Sequence, residues 1–387
     1  MKNICVVTSS RADFGLLYPL IIRISKSKKL NLKLVVTGSH LSDSFGNTVK
    51  EIEKERIHIS KTIELSLDFK DNVGMAKCTS EAISKFSDYF KNNKTDMLVV
   101  LGDRYEIFGV CIAASMLNIS IAHIAGGEVT QGAVDEFIRH SITKMSYLHF
   151  TECEQYRNRV IQLGENPKRV INAGALCVEN IKKLNKISKS VLSKELNLDL
   201  NKDYSLVTFH PVTKEKNDVK KQVFVLIKAL NAFPSMNFII TKSNADAGGQ
   251  IINKILDKEA KKHKNWIVVY SLGFEKYLSL MSECKMVIGN SSSGIIEAPV
   301  FKKPVINIGD RQKGRYMCKN IINCNVKTND IKNSINKALR SNFVKSLENM
   351  ECPYGNGNAS KLITKTIESV VYNDINLKKE FYDVKFK

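Results

Sequence analysis

Met286-Val287-Ile288-Gly289-Asn290-Ser291-Ser292-Ser293-Gly294-Ile295-Ile296-Glu297 is the stretch on which the fold reading turns. Met286–Gly289 is apolar and reads as a buried strand. A turn of small, hydroxyl-bearing residues follows, and an apolar segment then restarts. Strand, polar turn and helix start make half of a βαβ unit. The backbone N–H groups and hydroxyls of such a turn form a seat for an anion, a diphosphate in particular. Glu297 lies about one and a half turns further on. There it can accept from ribose hydroxyls, or act only as a first-turn acid favoured by the helix dipole.

Moving outward, the same alternation runs in both directions. Ser205–Phe209, Asn237–Lys242, Trp266–Ser271 and Val305–Ile308 read as further strands, with helices near Asp218–Ala232, Gln250–His263 and Phe274–Glu283. An earlier series contains Ile4–Thr8, Leu32–Thr37, Met97–Leu101, Ile119–Ile124, Leu148–Thr151 and Val170–Ala173. Its helices fall near Leu16–Ser27, Asn72–Asn92, Glu106–Met116, Asp135–Met145 and Gln155–Leu163. The fold class is therefore α/β, with two doubly wound, Rossmann-like domains in tandem and a cleft between their strand ends. Residues 1–178 form the first domain, 179–203 the connection, and 204–355 the second; 356–387 are a helix and tail expected to return to the first domain.

The chain has 387 residues, 43% of them hydrophobic and 25% charged, which suits two globular domains and excludes global disorder. No apolar run approaches the ~20 residues of a membrane helix, and the N-terminus is a β-type run rather than a leader, so no membrane partner is expected. Nine cysteines without a Cys-x-x-Cys pair read as reduced residues of a cytoplasmic protein, and no metal site is expected. The net charge of +20 comes mostly from 48 dispersed Lys against 11 Arg. With no aromatic-basic stacking motif, nucleic acid is not the expected partner. Arg11, Arg104, Arg139, Arg311 and Arg315 instead fall inside glycine-rich or acidic motifs, where guanidinium groups suit a small phosphate ligand.

Nearly every strand delivers polar residues at its C-terminal end. The first gives Thr8-Ser9-Ser10-Arg11-Ala12-Asp13-Phe14-Gly15, a phosphate site or an ordinary helix cap by Ser10 with a surface Arg. Gly102-Asp103-Arg104 offers an acid–base group or a salt bridge. His123-Ile124-Ala125-Gly126-Gly127-Glu128 lets backbone approach a ligand closely and adds a carboxylate. In Asp135-Glu136-Phe137-Ile138-Arg139-His140, Asp135 can cap a helix and Arg139 can pair with it at i+4. Phe209-His210-Pro211-Val212-Thr213 places a histidine at a strand terminus, and Gly309-Asp310-Arg311-Gln312 adds phosphate-binding cations. His123 and His149 read as core residues.

Taken together and in order, these motifs resemble the hydrolysing UDP-N-acetylglucosamine 2-epimerases. The resemblance implies a B-type glycosyltransferase-like fold and a homodimer. It implies UDP-GlcNAc as substrate, eliminated to a 2-acetamidoglucal and hydrated to N-acetylmannosamine, with UDP released and no cofactor. Carried over by motif, Ser291, Ser292 and Glu297 hold the diphosphate and ribose. Arg11, Arg104 and Arg311 face the departing UDP, and Gly174 and Asn244 line the ligand. Asp103, Asp135 and His210 match the acid–base set, as tuned carboxylates suit a weakly acidic C2 proton. One position departs from the pattern: Ala125 stands where many members carry a catalytic Glu, leaving Glu128 as the motif's carboxylate. The loop from Glu128 to Asp135 is also one residue longer than in the animal-type enzymes. Alternatives are the same reaction on a UDP-2,4-diacetamido-6-deoxy sugar of the legionaminic acid type, or a glycosyltransferase of the same fold.

Overall fold

In β1 (Lys2–Thr8), Ile4 and Val6 bury into one hydrophobic core while Cys5 and Val7 bury into another. A strand covered on both faces needs no polar alternation, which is why these segments read as continuous apolar runs. The computed structural model describes residues 1–67, 72–130, 134–211, 219–243, 249–373 and 375–385. They divide into two compact units, the first from Met1–Val129, Ala133–Asn180 and Pro353–Lys387, the second from Thr130–Gly132 and Ile181–Cys352.

The first unit holds β1, β2 (Leu30–Thr37), β3 (Ile59–Ile63), β4 (Met97–Leu101), β5 (Ile121–Ile124), β6 (Leu148–Thr151) and β7 (Val170–Asn172). All pair in parallel, in the order β3-β2-β1-β4-β5-β6-β7. Helices Arg11–Ser25 and Ala359–Val371 pack together on one face, where Leu17, Ile21, Ile363 and Ile367 are fully buried. Ser360 fixes the second of these helices by donating from N (3.0 Å) and Oγ (2.8 Å) to the carboxylate of Glu179.

The second unit holds β8 (Tyr204–Thr208), β9 (Asn237–Thr241), β10 (Trp266–Val269), β11 (Met286–Gly289), β12 (Val305–Ile308) and β13 (Ile321–Cys324). They too are parallel, in the order β10-β9-β8-β11-β12-β13. Ile181, Leu192, Leu198 and Leu200, from the stretch read as a connection, are buried in this unit's core.

In their own strand numbers the sheets run 3-2-1-4-5-6-7 and 3-2-1-4-5-6, the doubly wound order, so the direction in which strands are added reverses between β1 and β4 and between β8 and β11. Ligands of such sheets bind outside the carboxyl ends at that reversal. The fold therefore nominates two places: residues after Thr8 and Leu101 in the first unit, and residues after Thr208 and Gly289 in the second.

β3 and β13 were not legible as strands in the sequence. Each is an edge strand, and Ser60, Lys61 and Asn323 leave little apolar run to read.

Candidate active site

At the reversal of the second unit, backbone geometry comes first. Gly289 has φ +135°, and a Cβ there would lie 1.8 Å from Thr208 O. Only glycine permits this approach. Asn290, 1% exposed, then ties neighbouring strand ends together. Its Oδ1 accepts from His210 N (2.7 Å), its Nδ2 donates to His210 O (2.9 Å), and its carbonyl accepts from Arg311 Nη1 (3.1 Å) and Gln312 Nε2 (2.8 Å). The ends of β8, β11 and β12 meet on one residue, β8 through its side-chain amide and β12 through its backbone carbonyl. From the end of β9, Ser243 Oγ lies 3.1 Å from His210 Nδ1.

Ser291 caps the helix Ser292–Ile296, accepting from Ser293 N at 3.3 Å. Ser293 Oγ donates to Glu297 Oε2 (2.5 Å) and lies 3.0 Å from Tyr277 Oη. Burial raises the Glu297 carboxyl above the ordinary range, and the Ser293 hydrogen bond opposes part of that rise. Ser291, Ser292, Glu297, His210 and Arg311 are thus brought to one strand-end cluster, with Asn290 and Ser293 between them. Asn244 lies outside the described residues.

The first unit ends its central strands differently. After β1, Ser10 caps the helix Arg11–Ser25, and the Asp13 carboxylate accepts from Ser9 N (2.8 Å), Ser9 Oγ (3.2 Å) and Ser10 Oγ. Arg11 is exposed and pairs with Glu51 at 3.3 Å. His40 bridges Thr8 Oγ1 (3.0 Å) and Thr48 Oγ1 (2.8 Å), and burial lowers its pKa. After β4, Arg104 Nε pairs at 2.5 Å with fully buried Glu106.

Asp103 and Glu128, from the ends of β4 and β5, converge on one guanidinium. Arg139 Nη2 donates to Asp103 Oδ2 and lies 3.9 Å from Glu128 Oε2, with only 5% of the arginine side chain exposed. The expected i+4 pairing of Arg139 with Asp135 does not form: Asp135 is exposed in the first turn of helix Asp135–Met145, whereas Arg139 turns inward. A buried guanidinium needs a nearby carboxylate, and the strand ends supply two. His123 supports the same corner. Its Nε2 faces Gly102 O (2.8 Å) and therefore carries the proton, leaving Nδ1 to accept from Thr143 Oγ1 (3.2 Å). Burial holds its pKa down, to about 3, so it is neutral near pH 7.

Gly127 has φ +84°, and a Cβ there would meet Tyr156 O at 2.4 Å, so this glycine lets the loop rest on helix Glu154–Gln162. Gly174 makes a close approach too: a Cβ would lie 2.7 Å from Tyr354 O, and Ala175 N donates to the same carbonyl at 2.8 Å. Sequence reasoning assigned no role to Asn290 or Ser243, although an Asn directly after a strand-ending glycine was the available signal.

Two doubly wound parallel sheets with polar strand ends define the B-type glycosyltransferase-like class. A solved structure of UDP-GlcNAc 2-epimerase from Neisseria meningitidis bound to UDP-GlcNAc shares this fold, with a TM-score of 0.82 at 20% identity, covering 95% of this chain and 100% of that one. The family model described as UDP-N-acetylglucosamine 2-epimerase matches residues 22–368, and the chain belongs to that family. It is 44% identical over 384 residues, 99% of each chain, to the GDP/UDP-N,N'-diacetylbacillosamine 2-epimerase (hydrolyzing) of Campylobacter jejuni. It is also 40% identical to a polysialic acid biosynthesis protein of Escherichia coli, covering 99% of this chain and 98% of that one. No described helix is long and apolar enough to cross a membrane.

Proposed function

We propose that this protein is a hydrolysing 2-epimerase acting on a UDP-2,4-diacetamido-6-deoxy sugar of the N,N'-diacetylbacillosamine kind. The observation that carries the choice of substrate is the 44% identity, end to end, with the Campylobacter enzyme of that name. Ala125 supports it: a methyl group at the position where many members place a carboxylate changes the sugar-facing side of the motif. UDP-GlcNAc, the expectation from the motifs, becomes the second reading, favoured by the description of the family model. Apart from position 125, the motifs serve the diphosphate and C2, which the two substrates share, so they do not separate them.

In this reading the second unit holds the nucleotide. Ser291 and Ser292 present N–H and hydroxyl donors to the diphosphate, Arg311 neutralises it, and Glu297 accepts from the ribose. Arg11, Arg104, Gly174 and Asn244 complete the ligand-lining set. The first unit carries proton chemistry. One of the carboxylates Asp103 and Glu128 removes the C2 proton, the C–H electron pair becomes the C1=C2 bond, and the C1–O bond breaks to release UDP. Water then adds across the glycal: hydroxyl to C1, and a proton to C2 from the opposite face. Asp135 and His210 are the remaining groups of the acid–base set. Arg139, beside both carboxylates, orients them. The reaction conserves oxidation state and asks for no redox cofactor. We place the active protein in the cytoplasm as a homodimer.

The test is a substrate panel with purified protein: UDP-N,N'-diacetylbacillosamine, its GDP analogue and UDP-GlcNAc, each followed by nucleotide release. The proposal expects the highest kcat/KM with the UDP-diacetamido sugar. A higher kcat/KM with UDP-GlcNAc overturns the substrate assignment, and no release from any of them overturns the activity.

A further inference from the structure

Glu128 sits one residue beyond the close contact between the glycine loop and helix Glu154–Gln162, and that helix holds the loop by a side chain as well as by packing. Arg159 Nη1 donates to Gly127 O at 2.5 Å, and the Arg159 guanidinium lies 5.7 Å from the Tyr156 ring centroid. From below, a Cβ on Gly127 would meet Tyr156 O at 2.4 Å and Val160 Cγ2 at 3.0 Å, so the loop backbone rests directly on the helix. From the other side, Glu128 Oε2 faces Arg139 Nη2 at 3.9 Å. The loop is therefore gripped on both sides of the Gly127–Glu128 peptide: a carbonyl on Arg159 and a carboxylate near Arg139.

We propose that Arg159 is a positioning residue for Glu128, holding the Gly126-Gly127-Glu128 backbone so that this carboxylate keeps its place at the sugar in the absence of an acid at position 125. The inference rests on the 2-epimerase reading for its kinetic consequence and on geometry alone for the clamp. The guanidinium acts on Glu128 through one peptide carbonyl. Arg suits this work because its planar fork donates to a carbonyl while the flat face lies against an aromatic ring. A displacement of about 1 Å in a catalytic group costs on the order of 10²-fold in rate, so a lost loop anchor falls on turnover rather than on nucleotide binding.

The experiment compares wild type, Arg159→Met and Arg159→Lys in steady-state kinetics, UDP affinity, thermal midpoint and hydrogen exchange at Gly126–Glu128. Arg159→Met keeps the aliphatic stem and removes the donor. The expected result is a kcat lower by about 10- to 100-fold, with KM, UDP affinity and thermal midpoint nearly unchanged. Faster exchange at those amides and partial recovery in Arg159→Lys complete the expectation. Unchanged kcat in folded Arg159→Met overturns the proposal. So does a joint fall of kcat, UDP affinity and thermal midpoint that Lys does not restore, because that marks a merely structural residue. If wild type turns over no nucleotide sugar, the 2-epimerase reading fails separately. The clamp is then judged by exchange: faster in Arg159→Met supports it, unchanged contradicts it.

Discussion

At the strand reversal of the first unit, side chains are charged and paired: Asp13 at its helix cap, Arg104 with Glu106, and Asp103 and Glu128 around Arg139. At the equivalent reversal of the second unit, Asn290, Ser243 and Ser291–Ser293 form a hydroxyl and amide network, with Arg311 anchored to the Asn290 carbonyl. One sheet order has been fitted with two chemistries. Neutral donors at a strand–helix turn suit a bound anion, since N–H and hydroxyl groups stabilise its charge. Paired carboxylates suit proton transfer, since a neighbouring guanidinium sets orientation and ionisation. The difference teaches that equivalent positions of a doubly wound sheet specify where a ligand goes, while strand-end composition specifies what happens to it.

The largest effect is expected where backbone, rather than chemistry, makes the second site. Gly289→Ala drives a methyl group into Thr208 O and should cost about 4 kcal/mol, as strained backbone substitutions at the severe end do. Calorimetry should show the second unit melting early and UDP binding lost; an unshifted thermogram removes the close approach from the account. Next comes the charged site. Asp103→Asn should lower turnover by about 10²-fold or more, while UDP affinity by titration calorimetry stays within about twofold, because binding and proton transfer are assigned to different units. Parallel loss of both would merge the two regions again.

Asn290→Ala is the converse, expected to cost about 2 kcal/mol from the buried partners it strands. UDP affinity should fall while turnover of saturating substrate changes less. A purely catalytic defect in this variant would place proton chemistry in the second unit. The smallest effect is a pH slope. His123 is held neutral by burial, with a folded pKa of about 3 against an ordinary 6.5. The unfolded chain therefore binds one more proton between those values, and stability falls as pH drops through that window. Glu165 adds to the fall at lower pH. Burial alone would raise its carboxyl, but His149, Lys144 and Lys379 outweigh this and hold it near 2, against the ordinary 4.5. Both groups belong to the first unit, so acid titration should unfold that unit first, and His123→Asn should flatten the upper part of the slope.

The alternating strand and helix pattern was readable because interior strands are apolar on both faces; β1, β4, β8 and β11 stand where the sequence reading put them. Edge strands β3 and β13 escaped because edges carry Lys, Ser and Asn that break the apolar signal. The strand-end motifs located the candidate residues, but local spacing misdirected Arg139 toward Asp135, four residues away. Its partners, Asp103 and Glu128, come from other strand ends, and no helical periodicity encodes such a contact. Asn290 was hidden for the same reason: its partners lie 80 residues upstream and about 22 residues downstream.

Incubation of the wild-type protein with its UDP-sugar in deuterated water, followed by NMR, tests the central reading most directly. The account predicts free UDP and a released 2-acetamido sugar of inverted C2 configuration carrying one deuterium at C2. A released sugar with protium at C2, or a UDP-sugar recovered intact or merely epimerised, would contradict it.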